Sequence, residues 1–251
     1  MPLAIAHRHS ARPAVLAAPL GRIDPTRSYA VRHGVSAAVR SNELDRLATM
    51  RATQTVAPGT TFVDEGEPAL HVFTVTDGIV KLFKLLADGR RQIVGFLVVG
   101  DIFGFAPGDK YTVSAEAVSP VTLWRFPRRQ LERAFTDFPA VERELLDSMT
   151  RELAAAQDQM VLLGRKTAHE RVASFLLSLA RRQGHADGSV DLPMTRTDIA
   201  DYLGLTMETV SRVFTVLKGS GCIAANGSGR IQILDADALA ELADGAADDD
   251  A

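Results

Sequence analysis

Cysteine is almost absent: Cys222 is the only one in 251 residues. That excludes an intramolecular disulfide, a zinc site built from cysteine alone and an iron–sulfur cluster held by four thiolates of one chain. No run of about 18 apolar residues occurs, so no segment reads as a membrane-spanning helix. The patterns of common catalytic centres are also missing. There is no His-x-Glu combined with Cys-x-x-Cys, no Gly-rich phosphate loop with its lysine, and no carboxylate pair at a useful spacing. No catalytic residue, metal ligand or cofactor is therefore assigned. The opening stretch MPLAIAHRHSARPAVLAAPL is rich in Ala and Pro, and Pro13 and Pro19 break up the continuous apolar helix a secretory signal needs. Residues 1–41 read as a partly disordered arm of a cytoplasmic protein.

What is present suits ordinary packed cores: 46% of residues are hydrophobic and 24% charged, a length and balance that fit two modest domains. The formal charge of −3 is unevenly spread. From Asp235 onward come seven acids (Asp235, Asp237, Glu241, Asp244, Asp248, Asp249, Asp250) and no Lys or Arg, leaving the rest of the chain at +4. The segment 165–234 holds nine Lys or Arg against six acids. A basic module followed by an acidic tail, disordered towards its end, is the pattern of a chain that meets a polyanion.

Residues 53–126 alternate short β-rich runs with turn dipeptides, as a small antiparallel barrel or roll does. The clearest hairpin signal is 71–76, then Asp77-Gly78, then 79–86, because Asp-Gly readily supplies positive φ. Asp88-Gly89 leads to another run over 92–98, followed by Gly100–Gly104, 112–117 and 121–126. Past Pro127 the period changes. Val141, Leu145, Met149, Leu153, Ala156, Met160 and Leu163 follow one another at intervals of four or three, a stripe along a helix of about 25 residues and about 37 Å. It can pack on the chain's own barrel or on a second copy. A helix this long exceeds what a small roll covers, which favours a dimer seam. Gly164 is expected to interrupt it, and 167–182 forms another amphipathic helix before a Gly- and Asp-rich loop over 183–191.

In 195–217, TRTDIADYLGLTMETVSRVFTVL, two short helices flank a three-residue turn. Thr195 with Asp198 resembles a capping box, Gly204 stands where the first helix must stop with positive φ, and Thr206 is the N-cap of the second. Glu208, Ser211 and Arg212 fall at i, i+3 and i+4, one patch near that second helix's N-terminus, which is the end that enters the major groove in helix-turn-helix proteins. Arg212 can donate a bidentate pair to guanine, Glu208 can accept from cytosine N4, and Ser211 suits several bases. Glu208 and Arg212 could instead be a surface ion pair, as on any helix. The capped helix before them and the strand, Gly-rich turn and strand of 221–234 after them favour DNA. Thr195, Arg196, Thr206, Thr209, Lys218 and Arg230 are candidate phosphate contacts, which fix register without reading sequence. Cys222, between the second helix and the wing, reads either as a small buried hydrophobe or as a redox switch near the DNA surface.

These motifs, with the string Glu-Thr-Val-Ser-Arg at 208–212 and LLGRKTAHERVASFLL at 162–177, make the chain resemble the Crp/Fnr superfamily of bacterial regulators, in its FixK-like branch, from about Asn42 to Leu234. The resemblance implies an α+β fold. An N-terminal cyclic-nucleotide-binding-like β-roll would occupy 42–135, a long dimerisation helix 136–164 and a C-terminal winged helix-turn-helix 165–237, with the helix-turn-helix at 196–215 and an acidic tail at 238–251. It further implies a transcription factor, an activator, that binds a TTGAT-like inverted repeat of double-stranded DNA as a homodimer and contacts RNA polymerase, in gene control related to low oxygen or nitrogen oxides. Two departures bear on its signal. The stretch Ser28–Ser36, where Fnr-like oxygen sensors carry cysteines, has none. Where cyclic-AMP receptors carry Gly-Glu and Arg-Ser, this chain has Gly104-Phe105 and Tyr111-Thr112, with Lys110 as the nearest cation, so the ribose acceptor and the phosphate partner are both missing. The alternatives are a Crp-like regulator gated by cyclic nucleotide or by haem, for which His7, His9, His33 and His71 show no ligand spacing, or a regulatory roll of an enzyme complex, against which the winged helix argues.

Overall fold

The computed structural model describes residues 48–227 and 229–245; the arm and the last acidic residues lie outside that range. Among the described residues eight strands build the N-terminal roll: β1 (Ala52–Val56), β2 (Thr61–Val63), β3 (His71–Asp77), β4 (Val80–Leu85), β5 (Arg91–Leu97), β6 (Ile102–Phe103), β7 (Ser114–Ala117) and β8 (Val121–Pro127). They form two antiparallel four-stranded sheets, ordered β1-β8-β3-β6 and β2-β7-β4-β5. Their facing sides enclose Val56, Phe73, Val75, Val80, Leu82, Leu97, Phe103, Val121 and Leu123.

One expected hairpin is corrected by this topology. Asp77-Gly78 does not join paired strands, because β3 pairs with β8 and β6 while β4 pairs with β5 and β7. The dipeptide turns a corner between sheets instead. Gly78 has φ +83°, and a Cβ there would sit 2.2 Å from the carbonyl oxygen of Pro120, so glycine is demanded by a close crossing. The hairpin proper is β4–β5, closed around Asp88-Gly89 by the Leu86 amide donating to Arg90 O at 2.8 Å.

Helix α1 (Arg128–Asp137) leaves the roll, and the long helix α2 (Pro139–Arg165) follows. The break is chemical: Pro139 sits in the first turn of α2, and Phe138 before it is held at φ −131°, ψ 74°, out of the helical region by the proline ring. The single helix expected from 136 is thus two. At its far end α2 runs through Gly164 without interruption and stops only at extended Lys166. A lone exposed glycine costs a helix about 1 kcal/mol, which 27 residues absorb. Helix α3 (Ala168–Gln183) then starts on a complete capping box, Thr167 with Glu170.

Along α2 the striped side chains divide. Met149, Leu153 and Met160 are exposed, at 38%, 61% and 66%; Ala156 is exposed and Leu145 half-buried. Leu163 instead turns inward and packs against the chain's own C-terminal core, and the side chain of Val141 lies outside what is described. Leu146 and Val161, absent from the expected stripe, are also exposed.

The C-terminal unit comprises α3, β9 (Ser189–Asp191), α4 (Arg196–Leu203), α5 (Met207–Gly219), β10 (Ile223–Ala225), β11 (Arg230–Ile233) and α6 (Ala236–Ala243). Strand β9 lies in the stretch expected to be loop. It completes a three-stranded wing, β10-β11-β9, in which Val190 pairs with Ile231 and is fully buried. Three residues of alternation are too few to show a period in sequence. The acidic tail also begins with order: Asp235 caps α6, accepting from the Ala238 amide at 2.9 Å, and Leu239 and Ala243 are buried against α3. The boundary expected after residue 237 falls inside this helix.

Candidate nucleic-acid interface

The two helices of 195–219 are set by local chemistry. The Thr195 hydroxyl accepts from the Asp198 amide at 3.0 Å, and the Asp198 carboxylate receives the Thr195 hydroxyl at 2.7 Å and the Thr195 amide at 3.2 Å. A capping box with Asp in the Glu position is thereby closed. Gly204 ends α4 in the left-handed region, φ 62° and ψ 40°, a conformation that would strain any side chain. Thr206 then caps α5 by accepting from the Thr209 amide at 3.2 Å. Ile199, Ala200 and Leu203 of α4 and Val210, Val213, Phe214 and Leu217 of α5 are buried together, so the two helices share one packed core. Replacing Thr195 by alanine is expected to lower stability by about 1 kcal/mol. The check is the denaturant midpoint of the full-length chain, and an unchanged midpoint would deny the cap its weight.

On the side of α5 away from this core, Glu208 and Arg212 are exposed and Ser211 is half-buried. Among the described residues neither Glu208 nor Arg212 makes an ion pair, although Arg128 and Glu132 on α1, at the same spacing, close to 2.7 Å. Acceptor, hydroxyl and guanidinium thus stand together near a helix N-terminus, unpaired with one another in this conformation.

The candidate phosphate contacts do not all stand alike. Thr206, the N-cap of α5, and Lys218, in its last turn, are exposed, and the half-buried Thr209 shares a hydrogen bond with the Thr206 hydroxyl at 3.0 Å. Arg230, on the wing, is pinned through Nε to Asp191 at 2.7 Å, which leaves its terminal nitrogens for an outside acceptor. Thr195 has its hydroxyl committed to Asp198, and Arg196 lies over the Phe214 ring at 3.6 Å, a cation–π contact that draws its charge towards the core. Cys222 is half-buried against the winged-helix core, its sulfur accepting from the Ser220 hydroxyl at 3.3 Å.

Sequence reasoning missed a second charged cluster, where the roll meets α4. The Lys81 ammonium, with its side chain 6% exposed, lies 2.9 Å from Asp198 and 2.9 Å from Glu116. Arg91 reaches Asp198 at 2.8 Å and Asp201 at 2.9 Å. Burial alone would raise the Asp198 carboxyl, but the hydrogen bonds from Lys81 and Thr195 and the Lys81 charge outweigh it and hold the group below the usual carboxylate range. No signal in the sequence marks this: Lys81 stands in an ordinary β-run, VKLFKL, where nothing local tells it from a solvent-facing lysine. An apolar contact lies alongside, Phe96 meeting Phe175 at 5.9 Å and Tyr202 at 5.3 Å.

The interior of the roll is occupied by side chains. Phe73 stacks on Phe103 at 5.0 Å, and Phe62 meets both edge-on at 5.8 and 5.9 Å. Tyr111, at the place of the receptor's phosphate partner, is buried and locked to the His71 backbone, donating to its carbonyl at 2.9 Å and accepting from its amide at 3.1 Å. Phe105, at the place of the ribose acceptor, packs towards Phe135 at 6.3 Å. Lys110 and Thr112 are exposed. Burial and the Arg125 charge lower the pKa of His71; His7, His9 and His33 lie outside the described residues. Among the described residues no three His, Cys, Asp or Glu side chains group as a metal site, and no helix is long and apolar enough to cross a membrane.

Comparison with known proteins agrees with this architecture. Residues 53–138 match the cyclic nucleotide-binding domain family and residues 170–242 the Crp-like helix-turn-helix domain family. The chain is 45% identical over 181 residues to the transcriptional activatory protein AadR of Rhodopseudomonas palustris, covering 71% of this chain and 75% of that protein. It is 42% identical over 214 residues to the nitrogen fixation regulation protein FixK of Azorhizobium caulinodans, covering 83% and 86%. The solved structure of FixK2 from Bradyrhizobium japonicum superposes with a TM-score of 0.72 at 41% identity, over 76% of this chain and 96% of that one. A roll, a long helix and a winged helix-turn-helix in this order, shared at such identity with those regulators, place the chain in the Crp/Fnr family of transcriptional regulators, in its FixK-like branch, as a DNA-binding protein and not an enzyme.

Proposed function

We propose that this regulator binds double-stranded DNA as a homodimer, laying α5 of each protomer into the major groove of an inverted repeat with TTGAT-like half-sites. The observation that carries the reading is the open patch of Glu208, Ser211 and Arg212 on a helix whose opposite face is fully packed. Arg212 takes a guanine, Glu208 accepts from a cytosine amine, and Ser211 fits beside them. Thr206, Thr209, Lys218 and Arg230, with Thr195 and Arg196 at the start of α4, line the flanks as phosphate contacts. The exposed apolar residues of α2 supply the seam between two copies, setting the recognition helices about 34 Å apart, one turn of DNA. The relatives' roles in transcriptional activation and nitrogen fixation regulation support an activator; contact with RNA polymerase in the cytoplasm and gene control tied to low oxygen or nitrogen oxides complete the proposal.

The packed roll favours a regulator that needs no cyclic nucleotide. Footprinting and gel shift of the full-length chain on a TTGAT inverted repeat test this directly. Protection of both half-sites, with the same affinity in the presence and absence of cyclic AMP, is expected; a cyclic-AMP requirement would overturn the ligand argument, and no protection on any symmetric site would overturn the function. The same assay with peroxide, on wild type and Cys222→Ser, reads whether Cys222 is a redox input: loss in the wild type alone supports it, and equal loss in both removes it.

A further inference from the structure

Helix α4 has only eight residues, Arg196–Leu203, so nearly all its backbone polar groups lie within a turn of an end and depend on partners outside it. At its N-terminus the Asp198 carboxylate, already closing the cap on Thr195, also accepts from Lys81 Nζ at 2.9 Å and Arg91 Nη2 at 2.8 Å. At its C-terminus three consecutive carbonyls each receive a side chain from a different element. Gln92 of β5 donates to Asp201 O at 2.7 Å, Gln159 of α2 to Tyr202 O at 3.0 Å, and Arg171 of α3 to Leu203 O at 2.9 Å. Water would satisfy an exposed helix end equally well. Partners from the roll, the long helix and α3 satisfy it and also fix where the helix lies.

We propose that Lys81, Arg91, Gln92 and Gln159 are positioning residues for DNA recognition, pinning α4 at both ends and thereby setting the angle of α5 against the long helix. The inference rests on the operator-binding reading above. Its mechanism follows from packing: α4 and α5 share one buried core, so a tilt of α4 carries α5 with it. Gln159 is half-buried and immediately precedes the exposed Met160, so the same stretch of α2 that offers a seam also holds α4. In a two-fold dimer both recognition helices shift together, and an error in angle becomes an error in the distance between half-sites. Lys81 and Arg91 oppose Asp198, Asp201 and Glu116 in a largely desolvated cluster. Such a cluster gives little net stability but strongly prefers one geometry, because moving one partner leaves another charge buried alone.

The test uses the full-length chain and a series of inverted repeats whose half-site spacing is lengthened or shortened by single base pairs, with Arg91→Met, Gln159→Leu and the conservative Arg91→Lys. Wild type is expected to prefer one spacing. Arg91→Met and Gln159→Leu should each lose about tenfold in affinity at that spacing and much less at the others, flattening the spacing preference while base preference within the half-site stays as it was. Arg91→Lys should restore most of the spacing preference. An unaltered preference in both variants, whatever their overall affinity, would overturn the proposal. Should Arg91→Met fail to fold, Gln159→Leu, which breaks a neutral bond at the other end of α4, decides. A wild type indifferent to every inverted repeat would sink the operator reading itself, an outcome distinct from variants that merely keep the wild-type preference.

Discussion

A Leu153→Glu chain should sediment as a monomer at micromolar concentration and bind the inverted repeat about 10²–10⁴-fold more weakly than wild type. Leu153 is 61% exposed and lies on the α2 stripe between Met149 and Met160. An exposed leucine contributes nothing to the protomer's own core, so circular dichroism and the helical content of the monomer should be unchanged. Across a two-fold seam the substitution acts twice, setting a carboxylate from each copy into an apolar stripe. On the proposed reading a palindrome is bound by two linked events, so the expected loss is large. Once one α5 is seated, the second half-site is met at high effective concentration, and breaking the seam leaves each half-site to be bound alone. Sedimentation velocity and gel shift on whole and half operators check both parts. A variant that remains dimeric would move the interface elsewhere on the molecule.

Removing the Arg212 guanidinium is expected to cost about 1–3 kcal/mol of specific binding per half-site and to relax preference at one base pair. The guanidinium is exposed and without an ion-pair partner among the described residues, so Arg212→Ala leaves no orphaned charge within the protein and the loss reports on DNA alone. Arg230→Ala provides the contrast. Its side chain sits on the wing, tied to Asp191, and its loss should weaken binding to all sequences alike while lowering the salt dependence. Affinities measured over a randomised half-site library separate the two patterns. If Arg212→Ala kept the wild-type base preference, the assignment of bases to this helix would be wrong.

Much of this was legible because the signals are local. The Thr195–Asp198 cap, Gly204 at the helix end, Thr206 as the next cap and the spacing of Glu208, Ser211 and Arg212 are properties of neighbouring residues, and the structure keeps each where the spacing puts it. The change from strand to helix period near Pro127 was equally plain. Errors arose where the deciding contact was distant in sequence. Asp77-Gly78 has the residues of a hairpin turn, yet the pairing of β3 and β4 with strands far along the chain made it a corner. Ser189–Asp191 became a strand because Ile231 offered Val190 a partner. Ala236–Ala243 became a packed helix because α3 presented a surface for Leu239, although its acids suggested a solvated tail.

The sequence by itself determined the two helices of 195–219, their caps and the chemical identity of the patch on α5, since all of these depend on side chains within a turn or two of one another. Only the tertiary structure decided which way that patch points. Lys81 and Asp198 are separated by 117 positions, and no periodicity or composition can reveal that a lysine in an ordinary strand is the buried partner of a helix cap so far away. Orientation between the roll and the winged helix comes from long-range pairing of buried charges, from Gln92 and Gln159 reaching across to α4 and from three aromatic rings meeting between them. Such contacts exist only once the chain has closed upon itself.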